Sequence, residues 1–269
     1  MTRPQIDMRP IGRHAPVAPP VIELRGIWRE FGSDPPVVAL RDVDLQVLPG
    51  EWLAILGPSG SGKSTLLNII GLLDRPDRGA YLLEGEDVSS LGDLARAAVR
   101  GQRIGFVFQA FHLLPHRSVL ENVMLAELYT GQPRHGRRER AMTALEHVDL
   151  VDRAGFLPTR LSGGQQQRAA IARALMGEPS LLLCDEPTGN LDTHSAEGVL
   201  DVFSGLSRQG MTLVVITHNT EVAARATSVA HIVDGELSML PKPPAPQQRA
   251  ADVMPMRFGH ERGLDHEHL

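Results

Sequence analysis

Gly57-Pro58-Ser59-Gly60-Ser61-Gly62-Lys63-Ser64-Thr65 is the stretch on which the reading of this chain turns. It follows the apolar run Leu53-Ala54-Ile55-Leu56, a candidate buried strand, and precedes Leu66-Leu67-Asn68-Ile69-Ile70, the opening of a candidate buried helix. A strand, a glycine-rich loop and a helix N-terminus are what binding a phosphate chain requires. Gly57, Gly60 and Gly62 accept backbone angles that a Cβ forbids, so successive N–H groups can point at one anion, and the helix dipole adds to the attraction. Lys63 supplies a mobile positive charge for the β- and γ-phosphates, and the Ser64 hydroxyl a ligand for Mg²⁺. The competing reading is a glycine-rich turn without a ligand, and the strand and helix on either side weigh against it.

A pair of acids supports the same chemistry. Leu181-Leu182-Leu183-Cys184 reads as a short buried strand that ends in Asp185-Glu186, the end at which a parallel α/β sheet presents its reactive groups. Asp185 is the expected Mg²⁺ partner, directly or through a water, because Mg²⁺ prefers oxygen ligands and keeps several waters. Glu186 is the candidate to polarise an attacking water. Alone, two acids at a strand end describe a solvated turn equally well; the upstream loop tips the balance.

Four further stretches carry a family resemblance. Leu161 to Arg168 reads LSGGQQQR; Gln109 follows Ile104-Gly105-Phe106-Val107-Phe108; Thr188-Gly189-Asn190-Leu191-Asp192 follows the acid pair; His218 follows Leu213-Val214-Val215-Ile216-Thr217. In order and approximate spacing, over about residues 21 to 240, they resemble the signature, Q-loop, D-loop and switch histidine of the ABC ATPases. The resemblance implies an α/β fold: a P-loop NTPase core of RecA-like type with an antiparallel β-subdomain and an inserted helical subdomain. It also implies roles. Gln109 contacts Mg²⁺ or the lytic water, His218 bonds the γ-phosphate, Asp192 links two sites, and Phe31 falls where an aromatic stacks on adenine. Ser162, Gly163, Gly164 and Gln165 then meet the γ-phosphate held by another subunit. Since the chain holds one phosphate loop and one signature, the family's composite site requires two copies, a homodimer or a pairing with a related ATPase.

Plainer readings stand beside these. Ser162 with Gln165 three residues on is a capping box for a helix Gln165 to Met176, which leaves Gly163-Gly164 unexplained, because two glycines cost helix stability unless something approaches the backbone closely. His218 alone would be a structural histidine. Phe31, near Trp28, would be packing.

Composition sets limits. With 269 residues and ordinary apolar and charged fractions, the chain can build one α/β domain with a smaller subdomain. A formal net charge of -5 gives no electrostatic case for nucleic acid. Arg134 to Arg140, RHGRRER, is the one strong basic run, expected as a solvated helix face or as a contact for lipid headgroups or a permease loop. The single cysteine, Cys184, permits no intrachain disulfide and suits a reducing cytoplasm. No apolar stretch is long enough to span a bilayer, so membrane work falls to another chain. The expected location is the cytoplasmic face of the plasma membrane, reached through an integral membrane permease.

Along the chain, residues 1 to 20 read as a flexible leader rich in proline and arginine, and 21–240 as the ATPase domain. Strand-like runs fall at Val21 to Trp28, Val37 to Val47 and Tyr81 to Leu83, and the sheet resumes at Leu181, Met211 and Ser228. The pattern is helical through roughly Ser118 to Met176, within a subdomain spanning about 110–178. Residues 241–269 read as a disordered tail whose His260, His266 and His268 are incidental rather than a metal site. Within the family, RIGFVFQ (Arg103 to Gln109), FHLLP (Phe111 to Pro115), Glu121-Asn122-Val123 and TGNLD resemble the branch of macrolide exporters and lipoprotein-release ATPases, the MacB and LolD type, with the cell-division ATPase FtsE nearby. That implies an ATP-hydrolysing subunit driving a permease with few spans, or an FtsE-like lever on a membrane partner in cell-wall regulation. His112, Ala126-Glu127 and Asn219 depart from the branch and leave the permease's identity open. A soluble ABC protein of translation or repair is disfavoured, because neither a second ATPase domain nor a long coiled-coil insertion is present.

Overall fold

The computed structural model describes residues 19–32, 34–128, 133 and 135–241. Nearly all of the expected leader and tail, with the three tail histidines, and Arg134 of the basic run lie outside the described residues.

The central sheet has six strands in the order β10-β9-β3-β8-β7-β6. β3 (Trp52–Leu56), β6 (Ile104–Phe108), β7 (Leu181–Asp185), β8 (Thr212–Ile216) and β9 (Ser228–Val233) run parallel, and β10 (Glu236–Leu240) returns antiparallel along the edge. The apolar runs seen in the sequence are the inner strands, buried on both faces. Successive side chains alternate between two cores. Leu182, Cys184, Leu213, Val215 and Ala54 enter one. Leu181, Leu183, Val214, Ile216, Leu53 and Ile55 enter the other.

The second core is closed by α1 (Lys63–Ile70) and by a four-stranded antiparallel sheet in the order β2-β1-β4-β5: β1 is Ile22–Phe31, β2 Val37–Val47, β4 Arg78–Leu83 and β5 Glu86–Asp87. The Tyr81 hydroxyl, buried in this core, donates to the Ile70 carbonyl at 2.9 Å and ties β4 to the end of α1. The first core is closed by helices: α3 (Val119–Met124), α4 (Arg137–Glu146) and α5 (Gly163–Leu175), all inserted between β6 and β7, and α6 (Thr193–Arg208) and α7 (Thr220–Arg225) after them. Trp52 and Phe203 meet edge to face here, ring centroids 6.2 Å apart.

Several boundaries differ from expectation. β1 runs three residues past Trp28 to Phe31, and β4 begins at Arg78 rather than Tyr81. Cross-strand pairing sets both ends, Phe31 facing Val37 and Arg78 facing Trp28. The helical stretch is broken by 3₁₀ turns at Leu125–Leu128, Val151–Arg153 and Pro158–Arg160. α5 begins at Gly163, two residues earlier than expected, because Ser162 caps it. α2 (Asp93–Arg103) escaped the sequence reading: its one buried residue is Arg96, so no apolar stripe marks it. The basic run is not simply a solvated face either. Arg140 grips the buried Glu127 carboxylate through Nε and Nη2, both at 2.6 Å, with Arg137 3.4 Å away.

Candidate nucleotide site

The loop between β3 and α1 lines a cleft of about 610 Å³. Its other walls are Phe31, Val37, Val38 and Ala39 from the antiparallel sheet, and Gln109, Asp185, Glu186 and His218 from the ends of β6, β7 and β8. Parallel strands bring those three ends to one edge of the sheet although the four residues are spread over more than a hundred positions of sequence. Gly57 and Gly62 are required by close approach. Gly62 caps α1 at φ 105, and a Cβ there would lie 2.4 Å from the Ala39 carbonyl; one on Gly57 would lie 2.3 Å from the Ile232 carbonyl. Lys63 Nζ donates to the Gly57 and Pro58 carbonyls at 2.8 and 2.6 Å.

Among the residues expected to bind nucleotide, Gly57, Pro58, Ser59, Gly60, Gly62, Ser64 and Thr65 line the cleft with Lys63 and Phe31, and Ser61 does not. The Ser61 side chain is buried, its N–H bonds the Pro58 carbonyl and its carbonyl accepts from Gly235 N–H, so it braces the loop from behind. The Phe31 ring has the Arg29 guanidinium 4.6 Å from its centroid, and Asp74 and Asp77 hold that guanidinium in place.

The acid pair differs within itself. Asp185 has its carboxyl pushed above the usual range, first by burial and then by the adjacent Glu186 carboxylate, with Lys63 opposing. Glu186 sits at φ 44, left-handed backbone that a residue with a Cβ seldom adopts, and its N–H bonds the Ile216 carbonyl on β8 at 2.9 Å. That turn aims its carboxylate back at β8. Thr217 Oγ1 donates to Oε2 at 3.0 Å, and His218 Nδ1 lies 2.7 Å from Oε1. Sequence reasoning singled out His218 and missed Thr217, a buried hydroxyl with no local signal. It also missed the clamp on Gln109, whose Nε2 donates to Asn190 Oδ1 at 3.0 Å while Asn190 Nδ2 donates to the Gln109 carbonyl at 3.2 Å.

Ser162, Gly163, Gly164, Gln165 and Asp192 are not in this cleft. The capping box is formed in full: Gln165 N–H donates to Ser162 Oγ at 3.3 Å, and Ser162 N–H to Gln165 Oε1 at 3.0 Å. Asp192 caps α6 by accepting from Ser195 N–H at 3.0 Å, which holds its carboxyl below the usual range. The two glycines have a reason inside the chain. A Cβ on Gly164 would come within 3.0 Å of Ser195 Cβ, and one on Gly163 within 3.1 Å of the Leu191 side chain. A side chain at either position would thus crowd the segment that opens α6, a contribution that needs no ligand.

A parallel sheet with a phosphate loop after β3 and an acid pair at the end of β7 defines a P-loop NTPase. Comparison with known proteins narrows this. A family model described as ABC transporter matches residues 40–189. An uncharacterized ABC transporter ATP-binding protein of Thermotoga maritima is 53% identical over 195 residues, 72% of this chain and 83% of that protein. The macrolide export ATP-binding/permease protein MacB 1 of Yersinia pestis is 49% identical over 73% of this chain, which spans only 30% of that longer protein. The dimeric structure of a post-hydrolysis state of the ATP-binding cassette MJ0796 bound to ADP and Pi superposes with a TM-score of 0.72 at 38% identity, covering 82% of this chain and 99% of that one. The chain belongs to the ABC transporter family, as an ATP-binding subunit.

Proposed function

We propose that this chain hydrolyses ATP and powers a separate integral membrane permease in export, of lipoprotein, peptide or drug, acting as a dimer at the cytoplasmic face of the plasma membrane. The observation that carries the hydrolytic part is the Glu186 carboxylate at the edge of the phosphate-loop cleft, held on both oxygens by Thr217 and His218. A fixed carboxylate is what a water-activating base needs, because geometry ranks before pKa.

In this reading the loop amides and Lys63 bind the phosphates, Lys63 exchanging its two neutral carbonyl acceptors for anionic ones. Phe31 takes the adenine. Ser64, Gln109 and Asp185 fit Mg²⁺: all three line the cleft and offer hard oxygen donors, and a nearby cation would relieve the crowded charge of Asp185 beside Glu186. When bound, Mg²⁺ offsets phosphate charge. Glu186 accepts the proton of the attacking water, and His218 holds the carboxylate toward the cleft and meets the γ-phosphate. Most of the barrier lowering comes from positioning and electrostatics.

Ser162, Gly163, Gly164 and Gln165 lie outside the cleft of their own chain, which fits a role in completing a partner's, with Asp192 beside the junction. The dimeric state named for the MJ0796 cassette supports this. The export reading draws on the likeness to MacB 1, whose name joins ATP-binding and permease functions. Among the described residues no helix is long and apolar enough to cross a membrane, in keeping with a permease on another chain.

The test is Glu186→Gln. ATP binding is expected to persist, turnover to fall by at least about 10²-fold, and an ATP-dependent dimer to accumulate; ordinary turnover would remove Glu186 as base. Purified with ATP in mild detergent from its native cell, the same variant should bring a permease with it. Recovery free of any membrane protein would end the transport reading.

A further inference from the structure

The segment that leaves β6 and carries Gln109 is held by side chains of α5, the helix that Ser162 caps. Gln167, fully buried on α5, donates from Nε2 to the Phe108 carbonyl at 3.2 Å, the peptide immediately before Gln109. Six residues further along α5, Arg173 donates from Nη1 to the His112 carbonyl at 2.6 Å and from Nη2 to the Phe111 carbonyl at 2.9 Å. Three side-chain bonds from one helix therefore cap three carbonyls within five residues.

Neither side chain is explained by packing alone. Gln167 Oε1 is buried without a partner among the described residues, so half of its polar capacity is left unsatisfied. An apolar residue of equal volume would fill that space without the penalty. Arg173 spends a guanidinium on two neutral carbonyls at a position where burial pulls its pKa down. One of them belongs to His112, at φ 49, a left-handed conformation that a histidine adopts at a cost. The charge-assisted bond holds that conformation and with it the direction in which the segment leaves the site. On its other side the same segment is clamped by Asn190, between the acid pair and Asp192. A short path of hydrogen bonds thus joins α5 to the segment that carries Gln109.

We propose that Arg173 and Gln167 are positioning residues that lock the segment Gln109 to Leu113 onto α5, so that Gln109 and the Ser162 end of that helix move as one body through the ATPase cycle. The proposal rests on the reading of Gln109 and Ser162 given above.

The experiment uses the full chain with Arg173→Met, Arg173→Lys and Gln167→Met. Each is assayed for turnover, for affinity toward a fluorescent ATP analogue, and, in the Glu186→Gln background, for amide hydrogen exchange with and without Mg-ATP. Both methionine variants should keep ATP affinity and KM within about twofold while kcat falls about tenfold. Arg173→Lys, able to reach one carbonyl, should lie between. In the parent, Mg-ATP should protect residues 109–114 and 163–167 together. In the methionine variants the 163–167 response should persist and the 109–114 response should be lost. A merely structural role would lower the melting midpoint without splitting the two segments. Responses that stay in step in Gln167→Met, or an unchanged kcat there, would overturn the proposal even if Arg173→Met did not fold. A parent with no protection at 163–167 would overturn the reading of Ser162 itself, and the coupling with it.

Discussion

Asp185 and Glu186 are neighbours in sequence with opposite surroundings. Glu186 is held by two donors, whereas burial and the Glu186 charge push the Asp185 carboxyl upward with only Lys63 opposing. A carboxyl whose folded-state pKa is raised binds its proton more tightly folded than unfolded. Its ionisation therefore costs stability, a cost absent below the ordinary carboxylate range and fully present above the raised value. The cost grows as the pH rises. Asp185→Asn is thus expected to raise the melting midpoint of the nucleotide-free, metal-free chain at pH 7. The gain should shrink as the pH falls through the raised range in which the wild-type carboxyl takes up its proton. With Mg-ATP the order should reverse, since only the wild type gains a ligand. A variant that melts lower at pH 7 without nucleotide would show that Asp185 is not a destabilised charge. The sequence made the acid pair legible as a pair but not this difference, which depends on β7 being buried between β6 and β8.

At the scale of elements, the start of α5 serves two ends. Ser162 and Gln165 form a complete capping box, and the glycines between them let α5 pack against Leu191 and Ser195. The sequence displayed the cap, since Ser-x-x-Gln needs no tertiary information. The reason for the glycines was hidden, because it lies in a helix start thirty residues away. The capping role of Ser162 can be separated from the role proposed for it at a partner's nucleotide. Ser162→Ala removes the cap and should cost about 1 kcal/mol. Ser162→Asp caps equally well and suits the helix dipole, so its melting midpoint should match that of the wild type. Its carboxylate would however face the γ-phosphate of a partner's nucleotide, so ATP-dependent dimerisation and hydrolysis should both be lost. Full activity in Ser162→Asp would mean that the signature is a helix cap and nothing more.

At the scale of the whole molecule, the strands were legible because the inner ones are apolar throughout, yet their order was not. That order, β10-β9-β3-β8-β7-β6, is a property of packing, and it brings Gln109, Asp185, Glu186 and His218 to one edge. α2 was invisible for the converse reason, a helix whose buried residue is an arginine. The same packing keeps Ser162 out of the cleft of its own chain, and a composite site follows only if a second copy supplies it. Mixing two inactive variants decides the matter. In a head-to-tail dimer of Ser162→Asp with Glu186→Gln, one site combines an intact Glu186 with an intact Ser162, and the other carries both defects. Each mixed dimer has one good site of two, and random 1:1 pairing would make half the dimers mixed. Turnover should therefore return to at most about one quarter of the wild type, less as the Ser162→Asp contact and trapped Glu186→Gln dimers bias the pairing. If each chain instead completed its own site, both chains would remain dead and mixing would restore nothing. Recovery that rises and then falls with the mixing ratio, greatest near equal amounts, would mark the partner's Ser162 as part of the site that Glu186 serves.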